Sequence, residues 1–386
     1  MVPWVAEAVA VVVTRGFVLT GIVCTFSNAV MAGVLPEDRS DVLYHSFDGG
    51  GVTISGPSIL VRKQIGSSLS VVANHYVDHV SSASIDVVTT ASAYIEERTQ
   101  QSLGFDYLDG KTTMSLSHTT SKENDFDART TSFSISQDMF GDLTTVTMSY
   151  ARGDDVVGKR NDTSFKKPVV RQNYGVSLTQ ILSTKIIANV DFETITDEGF
   201  LNNPYRSVRY VDGGSYSYQA EAYPKTRTSN ALAMRGKYFL DYRAALEGEF
   251  RVYQDSWGII AGAFEIGYVQ PAWDNWILET KYRVYSQTRA SFYSDLYPYV
   301  NAQNFLARDK ELSSFSDAGI HIGLTYEFAK GGWGFINKGS ANLGYTYLNF
   351  AYKDFRDLRA TGYPLGQEPL YNFSAKVLQL YLSIWY

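Results

Sequence analysis

The ten residues 377–386 alternate between two classes of side chain. Every second position carries a large apolar or aromatic residue, and these positions are Leu378, Leu380, Leu382, Ile384 and Tyr386. Successive side chains of a β-strand point to opposite faces, so these five share one face. A last strand with an apolar face and an aromatic end is typical of outer-membrane barrels, in which it closes the cylinder. We predict that the barrel-assembly machinery reads these residues as a signal; an edge strand of a soluble sheet is the alternative.

The composition favours an all-β membrane protein. The chain of 386 residues has 28 Tyr and 31 Gly but only 10 Pro, which suits many strands with aromatic residues at their ends. The mean hydropathy of -0.17 is too low for a helical membrane protein, and no run of 18 apolar residues occurs beyond residue 32. The net charge of -6 argues against nucleic-acid binding. A soluble all-β sandwich remains the alternative class.

The segment 1–32 reads as a secretory signal peptide. A short apolar stretch, 16–27, follows Arg15, and small residues precede a predicted cut after Ala32. The remainder, 33–386, is predicted to be one barrel domain. The single cysteine, Cys24, lies in the leader, so the mature chain is expected to form no disulfide and to hold no Cys-ligated zinc, iron–sulfur cluster or thioether-linked haem.

Charged residues alternate with apolar residues along several internal segments. In 242–253, for example, Leu246 and Phe250 alternate with Glu247 and Glu249. A barrel wall with lipid outside and a polar interior has this pattern. The charges predicted to line the lumen are Arg235, Lys237, Arg243, Glu247, Glu249, Arg251, Glu279, Lys281 and Arg283. They would either select solutes or form a salt-bridged interior that replaces a hydrophobic core.

Aromatic residues also recur near the predicted strand ends, where an interfacial girdle requires them. The residues assigned to this girdle are Trp257, Trp273, Trp276, Tyr238, Tyr242, Tyr253 and Tyr285.

Short turns alternate with long polar stretches, as they do between the two ends of an outer-membrane barrel. Short turns are predicted at 66–67, 109–110, 141–142 and 183–184. The long stretches are 79–94, 120–128, 153–168, 196–228, 288–312 and 353–371. With a first strand at 41–47, the count is about 16 strands, with about 14 as the alternative.

Three blocks of sequence, 35–51, 81–90 and 195–209, resemble one known family. Together with the rest of 34–386, they are similar to the domain-of-unknown-function 3570 family of Gram-negative outer-membrane proteins. The resemblance implies an outer-membrane barrel but brings no activity and no site residues. Genes of the family lie near those for small lipoproteins, thioredoxin-like proteins and flavin-transferring enzymes. This implies an envelope redox or export setting, with a small lipoprotein or periplasmic redox partner.

Residues that could carry catalysis or bind metal show no convincing pattern. Of the five histidines, His75 and His79 share a strand face but are separated by about 13 Å of extended chain. No Gly-x-Ser-x-Gly motif occurs, and no spacing singles out a Ser-His-Asp set. We therefore predict no metal, no cofactor and no enzymatic activity, with an outer-membrane hydrolase as the least favoured alternative.

The sequence thus predicts a β-barrel of the bacterial outer membrane, in contact with its lipid and without a nucleic-acid partner. The leading function is a pore or export channel for small solutes or for a partner's substrate. The alternative is a plugged barrel that holds a lipoprotein or redox partner in the membrane. The stretch 79–94 is a candidate to fold inward, and 196–228 is either a partner-binding or gating element or a simple surface loop.

Overall fold

The protein is a closed, antiparallel β-barrel of 16 strands, seen in a computed structural model that describes residues 34–82, 94–160 and 162–386. The barrel strands are β1 Arg39–Gly49, β2 Val52–Ile65, β3 Leu69–Ser82, β4 Tyr94–Asp109, β5 Thr112–Lys122, β6 Phe126–Met139, β7 Thr144–Lys159, β8 Asp162–Ser183, β9 Ile186–Gly199, β12 Thr226–Phe239, β13 Ala245–Asp255, β14 Ile260–Ala272, β15 Trp276–Gln287, β16 Phe315–Phe328, β17 Lys338–Arg356 and β18 Leu370–Trp385. A separate hairpin, β10 Ser207–Asp212 and β11 Ser215–Ala220, and a 3-10 turn, Lys310–Leu312, lie in the connections. The predicted signal peptide and residues 83–93 lie outside the described residues.

The last strand closes the cylinder. β18 pairs with β17 on one side and with β1 on the other, with Leu382 opposite Val42. This confirms the predicted barrel of 16 strands, and the four predicted short turns all connect neighbouring strands. The reading of the terminal residues as an assembly signal stays a prediction.

The outer face of the barrel is apolar. Along β13, for example, Leu246, Phe250 and Val252 are 39 to 51% exposed, and similar side chains occupy the outward positions of most other strands. An apolar surface of this extent on a closed sheet suits contact with lipid, and the whole has the architecture of outer-membrane barrels. Among the described residues, no helix has the length and apolar character needed to cross a bilayer.

Two of the predicted long loops are wrong. β7 and β8 continue through most of 153–168, and only three residues, 123–125, separate β5 from β6. Both segments are rich in polar residues, which led to their assignment as loops. Their backbones still complete the antiparallel ladder, which does not depend on the polarity of the side chains.

Four of the seven residues assigned to the aromatic girdle are exposed, and their place at a membrane interface stays a prediction. Trp273, Trp276, Tyr238 and Tyr242 are 36 to 84% exposed and lie at the end that carries the short turns. The assignments of Trp257, Tyr253 and Tyr285 are wrong, because these side chains pack in the interior. Tyr253 and Tyr285 share the inward parity of Arg251 and Arg283, and Trp257, in the β13–β14 turn, is only 2% exposed.

Candidate functional site: the lumen and its loop cap

The inner face of β12, β13 and β15 carries eight of the nine charges that were predicted to line the lumen. They are Arg235, Lys237, Glu247, Glu249, Arg251, Glu279, Lys281 and Arg283. The placement of Arg243 is wrong. This residue lies in the exposed β12–β13 turn with a φ of 68°, because β13 begins only at Ala245.

Arg235 joins three neighbouring strands of the inner wall. Its guanidinium pairs with Asp191 of β9, and its Nε donates to the Glu249 carboxylate of β13 over 2.7 Å. One step toward the short-turn end, Lys237 lies opposite Glu247, with its Nζ 2.7 Å from the Glu247 Oε1 atom. Register alone therefore places opposite charges side by side on this wall.

The same pattern continues on the strands that follow. The Lys281 Nζ atom lies 2.6 Å from Glu279 and 3.9 Å from Glu247. The remaining two pairs are Arg251 with Glu193 and Arg283 with Asp317, each at 3.3 Å. The wall is thus an ion-paired network, and the role of its charges stays a prediction.

Carboxylates outnumber cations in this network, which we call the lumen cluster. Its five cations are Arg235, Lys237, Arg251, Lys281 and Arg283, and its seven carboxylates are Asp191, Glu193, Glu247, Glu249, Glu265, Glu279 and Asp317. Glu265 lies on β14, opposite Glu249 on one side and Arg283 on the other. The side chain of Lys237 is 51% exposed and those of Glu249 and Glu279 are 32% exposed. The part of the lumen nearer the short-turn end is therefore solvated. The wall therefore presents a net negative field to solutes in water.

The opposite end of the barrel is closed by three folded connections, which we call the loop cap: 200–225, 288–314 and 357–369. Arg209 of β10 is completely buried at their centre. Its Nη1 atom lies 2.6 Å from Glu368 and its Nη2 atom 2.5 Å from Asp295, so one guanidinium ties all three connections together. Although burial opposes it, the hydrogen bond from Arg209 holds the pKa of Glu368 below its ordinary value.

The loop cap packs around an apolar core. Tyr223 and Phe292 of the loop cap and Trp257 of the β13–β14 turn form an aromatic triad with ring centroids 5.2 to 5.6 Å apart. This core is continuous with inward-facing wall residues from around the barrel, namely Phe47, Val52, Ile54, Val80, Phe126, Val157, Val169, Phe315, Leu348, Phe350 and Val377. Because side chains from opposite sides of the wall join one cluster with the loops, the loop cap fills the mouth.

The chain enters the loop cap at Gly199. Its φ of 126° is a conformation that side-chain-bearing residues rarely adopt, and a Cβ atom there would lie 2.2 Å from the Pro168 carbonyl oxygen. Beyond it, backbone hydrogen bonds join Ala222 and Leu306 in both directions, at 2.7 and 2.9 Å. The predicted loop 196–228 is therefore an ordered part of the closure.

A second polar cluster on the inner wall was not foreseen from the sequence. The His45 Nε2 atom of β1 lies 2.6 Å from the Asp78 carboxylate of β3 and 2.9 Å from the Tyr76 hydroxyl. Arg98 of β4 donates to the same Asp78 over 2.5 Å. The inward parity of Tyr76 and Asp78 was visible in the sequence, but the partners depend on the register of three strands. His75, His79 and His118 lie on the outer face, away from this cluster.

A family model described as "Protein of unknown function (DUF3570)" matches residues 53–335 of the chain. No curated protein matches. Similar solved structures include a bacterial polysaccharide outer membrane secretin, with 7% identity over 91% of this chain and 98% of that one and a TM-score of 0.48. Others are CdiB from Acinetobacter baumannii, with 8% identity, 90% and 60% coverage and a TM-score of 0.49, and OmpT of Vibrio cholerae, with 9% identity, 92% and 100% coverage and a TM-score of 0.43. All three TM-scores lie below 0.5, so these similarities assign no function.

Proposed function

The chain belongs to the DUF3570 family, described only as proteins of unknown function, and we propose from the barrel itself that it is a gated outer-membrane pore. The pore passes small polar solutes and prefers cations. The observation that carries this proposal is the solvated, net negative lumen cluster beneath a folded loop cap. The proposed role is transport and not catalysis.

The location follows from the two faces of the sheet. The outward residues are apolar and exposed, whereas the inward residues are charged and paired. In water this arrangement would expose the surface that a soluble protein buries, and in a bilayer it places hydrocarbon against hydrocarbon. A bacterial outer membrane is the compartment that uses such barrels, reached with the predicted signal peptide.

Cation preference is the first measurable consequence. We expect the reconstituted protein to show brief stepwise openings whose reversal potential in a KCl gradient indicates a preference for K⁺ over Cl⁻. The double change Glu249→Gln and Glu265→Gln removes two of the negative charges of the lumen cluster, so the preference should fall toward non-selectivity. Planar-bilayer recording measures both quantities.

Asp241 gives a matched control for this experiment. It lies in the exposed β12–β13 turn with a side chain 86% exposed, so Asp241→Asn changes the net charge without changing the lumen. Its reversal potential should equal that of the wild type. An equal shift in the control and in the lumen variant would contradict a role for the lumen cluster in selectivity.

A scaffold function is the second candidate, because the mouth is filled by a continuous apolar core. In this case the plugged barrel holds a small lipoprotein or a periplasmic redox protein in the membrane. Purification in mild detergent distinguishes the two functions. A stoichiometric co-purifying protein, together with no openings from either the wild type or a variant with a disrupted loop cap, would favour the scaffold.

A further inference from the structure

A groove with a volume of about 500 Å³ runs over the outer face of β2 to β5. At one end, Ala73 of β3 lies between Val61 of β2 and Leu103 of β4. The short side chain of Ala73 leaves a depression between its two larger neighbours. The other outward side chains of the groove, which we call the outer groove, are Ile59, His75, Gln101, His118 and Thr120. All of them point away from the lumen.

The outer groove lies where the apolar surface of β4 and β5 ends. Toward the long-loop end, the outward residue after Leu103 is Gln101, and the one after Leu116 is His118. The next two outward residues of each strand are also polar. Because apolar outward residues contact hydrocarbon, this change marks the level of the lipid headgroups on this side of the barrel. The outer groove therefore crosses from the hydrocarbon into the headgroup layer.

A row of polar side chains extends from the outer groove across four strands. His75 of β3 lies opposite Gln101 of β4, which lies opposite Thr120 of β5. Thr120 in turn lies opposite Arg129 of β6. Side chains opposite each other on one face of a sheet are neighbours, so these four form one surface. By contrast, a row of outward residues across β12 to β15 is apolar throughout and consists of Met234, Phe250, Phe264 and Val284.

Arg129 gives this polar row a permanent positive charge. Asp154, on the outer face of β7, pairs with Arg152 over 3.0 Å. Arg129 itself forms no ion pair with any residue that the structure describes. The row thus combines hydrogen-bond donors with a cation at the level where lipid headgroups lie.

We propose that the outer groove binds a phosphate-bearing lipid of the outer leaflet. Its acyl chain lies over Ala73, between Val61 and Leu103, and its phosphate contacts the row that runs from His75 to Arg129. Ionised phosphate oxygens accept hydrogen bonds, and the row supplies donors from imidazole, amide, hydroxyl and guanidinium groups. The long-loop end of an outer-membrane barrel faces the outside, so the order from apolar to polar matches a lipid of that leaflet. The inference rests on the membrane location of the barrel and not on conduction.

A lipid titration of the purified barrel in detergent, read by native mass spectrometry, tests this proposal. Dioleoyl phosphatidic acid and dioleoylglycerol carry the same acyl chains and differ in the phosphate. We expect the first phosphatidic acid to bind at least about tenfold more tightly than the first dioleoylglycerol, because hydrogen bonds to a charged group are the stronger ones. Inorganic phosphate should not displace it, since inorganic phosphate has no chain to occupy the apolar end.

Two variants locate the binding in the outer groove. The double change His75→Leu and Gln101→Leu replaces two donors with apolar side chains, so the affinity for phosphatidic acid should fall at least about tenfold while that for dioleoylglycerol stays the same. Arg129→Gln should lower the affinity for phosphatidic acid by a similar factor. Lys353→Gln is the matched control for the loss of charge, because Lys353 is an exposed outward cation on β17, outside the groove. It should bind phosphatidic acid as the wild type does.

Several results would overturn the proposal. One is equal affinity of the wild type for the two lipids, and another is unchanged binding of phosphatidic acid by both groove variants. An equal loss in Lys353→Gln would mean that surface charge alone attracts the anionic lipid. Displacement by inorganic phosphate would reassign the polar row to a free anion. A dimer or trimer of the wild type that is lost in the double variant would assign the groove to a second copy of the chain.

Discussion

If the barrel is the gated pore proposed above, Arg209→Ala is expected to change it from mostly closed to mostly open. The guanidinium of Arg209 is completely buried and neutralises Asp295 and Glu368, which are themselves about nine-tenths buried. In the variant Asp295 keeps its ion pair with Arg308 at 2.9 Å, whereas Glu368 loses the guanidinium that neutralises it. Removing one partner of a buried ion pair costs about 3 to 5 kcal/mol, because the remaining charge stays desolvated. A shift of about 3 kcal/mol changes an equilibrium more than a hundredfold, which suffices to open a cap that is closed most of the time.

Single-channel recording gives the open probability directly. Arg359→Ala is the control, because Arg359 lies in the connection 357–369 but is 53% exposed and pairs with Asp357 of the same connection. Its open probability should match that of the wild type. A correctly folded Arg209→Ala barrel that stays as closed as the wild type would contradict the loop cap as a gate and would favour the scaffold.

The wall of this barrel was predictable from the sequence, because the alternation of side chains within each strand distinguishes its outward residues from its inward residues. A period of two in residues such as Leu246, Glu247 and Glu249 assigns them to lipid or lumen without knowledge of the partner strand. The prediction failed where the pattern was extended past a strand end. Arg243 fits the inward parity of β13 in number, but it lies in the turn, where parity has no meaning.

The loop cap was not predictable in this way, because its contacts join residues far apart in the chain. Arg209 is 86 residues from Asp295 and 159 residues from Glu368. Trp257 could equally belong to an interfacial girdle or to a buried core, and the sequence nearby does not distinguish them. Only the closure of the barrel brings three connections over one mouth, and their aromatic side chains then have a common core to enter.

The two faces of β16 provide a direct test of the membrane assignment. Ile320 is 53% exposed on the outer face, and His321, the next residue, faces the lumen, where its Nδ1 lies 2.8 Å from the Thr346 hydroxyl. Ile320→Arg should lower the free energy of unfolding in lipid vesicles by about 2 to 4 kcal/mol, because it places a charge in the hydrocarbon. His321→Arg introduces the same charge beside the solvated lumen cluster and should cost much less.

Urea unfolding of both variants, in vesicles and in detergent micelles, separates lipid exposure from simple packing damage. The penalty of Ile320→Arg should shrink in micelles, where a flexible detergent belt lets the guanidinium reach water. That of His321→Arg should be the same in both media, since the lumen does not contact the lipid. Equal penalties for the two variants in vesicles would mean that Ile320 faces water or a partner protein, and the membrane-spanning orientation of β16 would have to be abandoned.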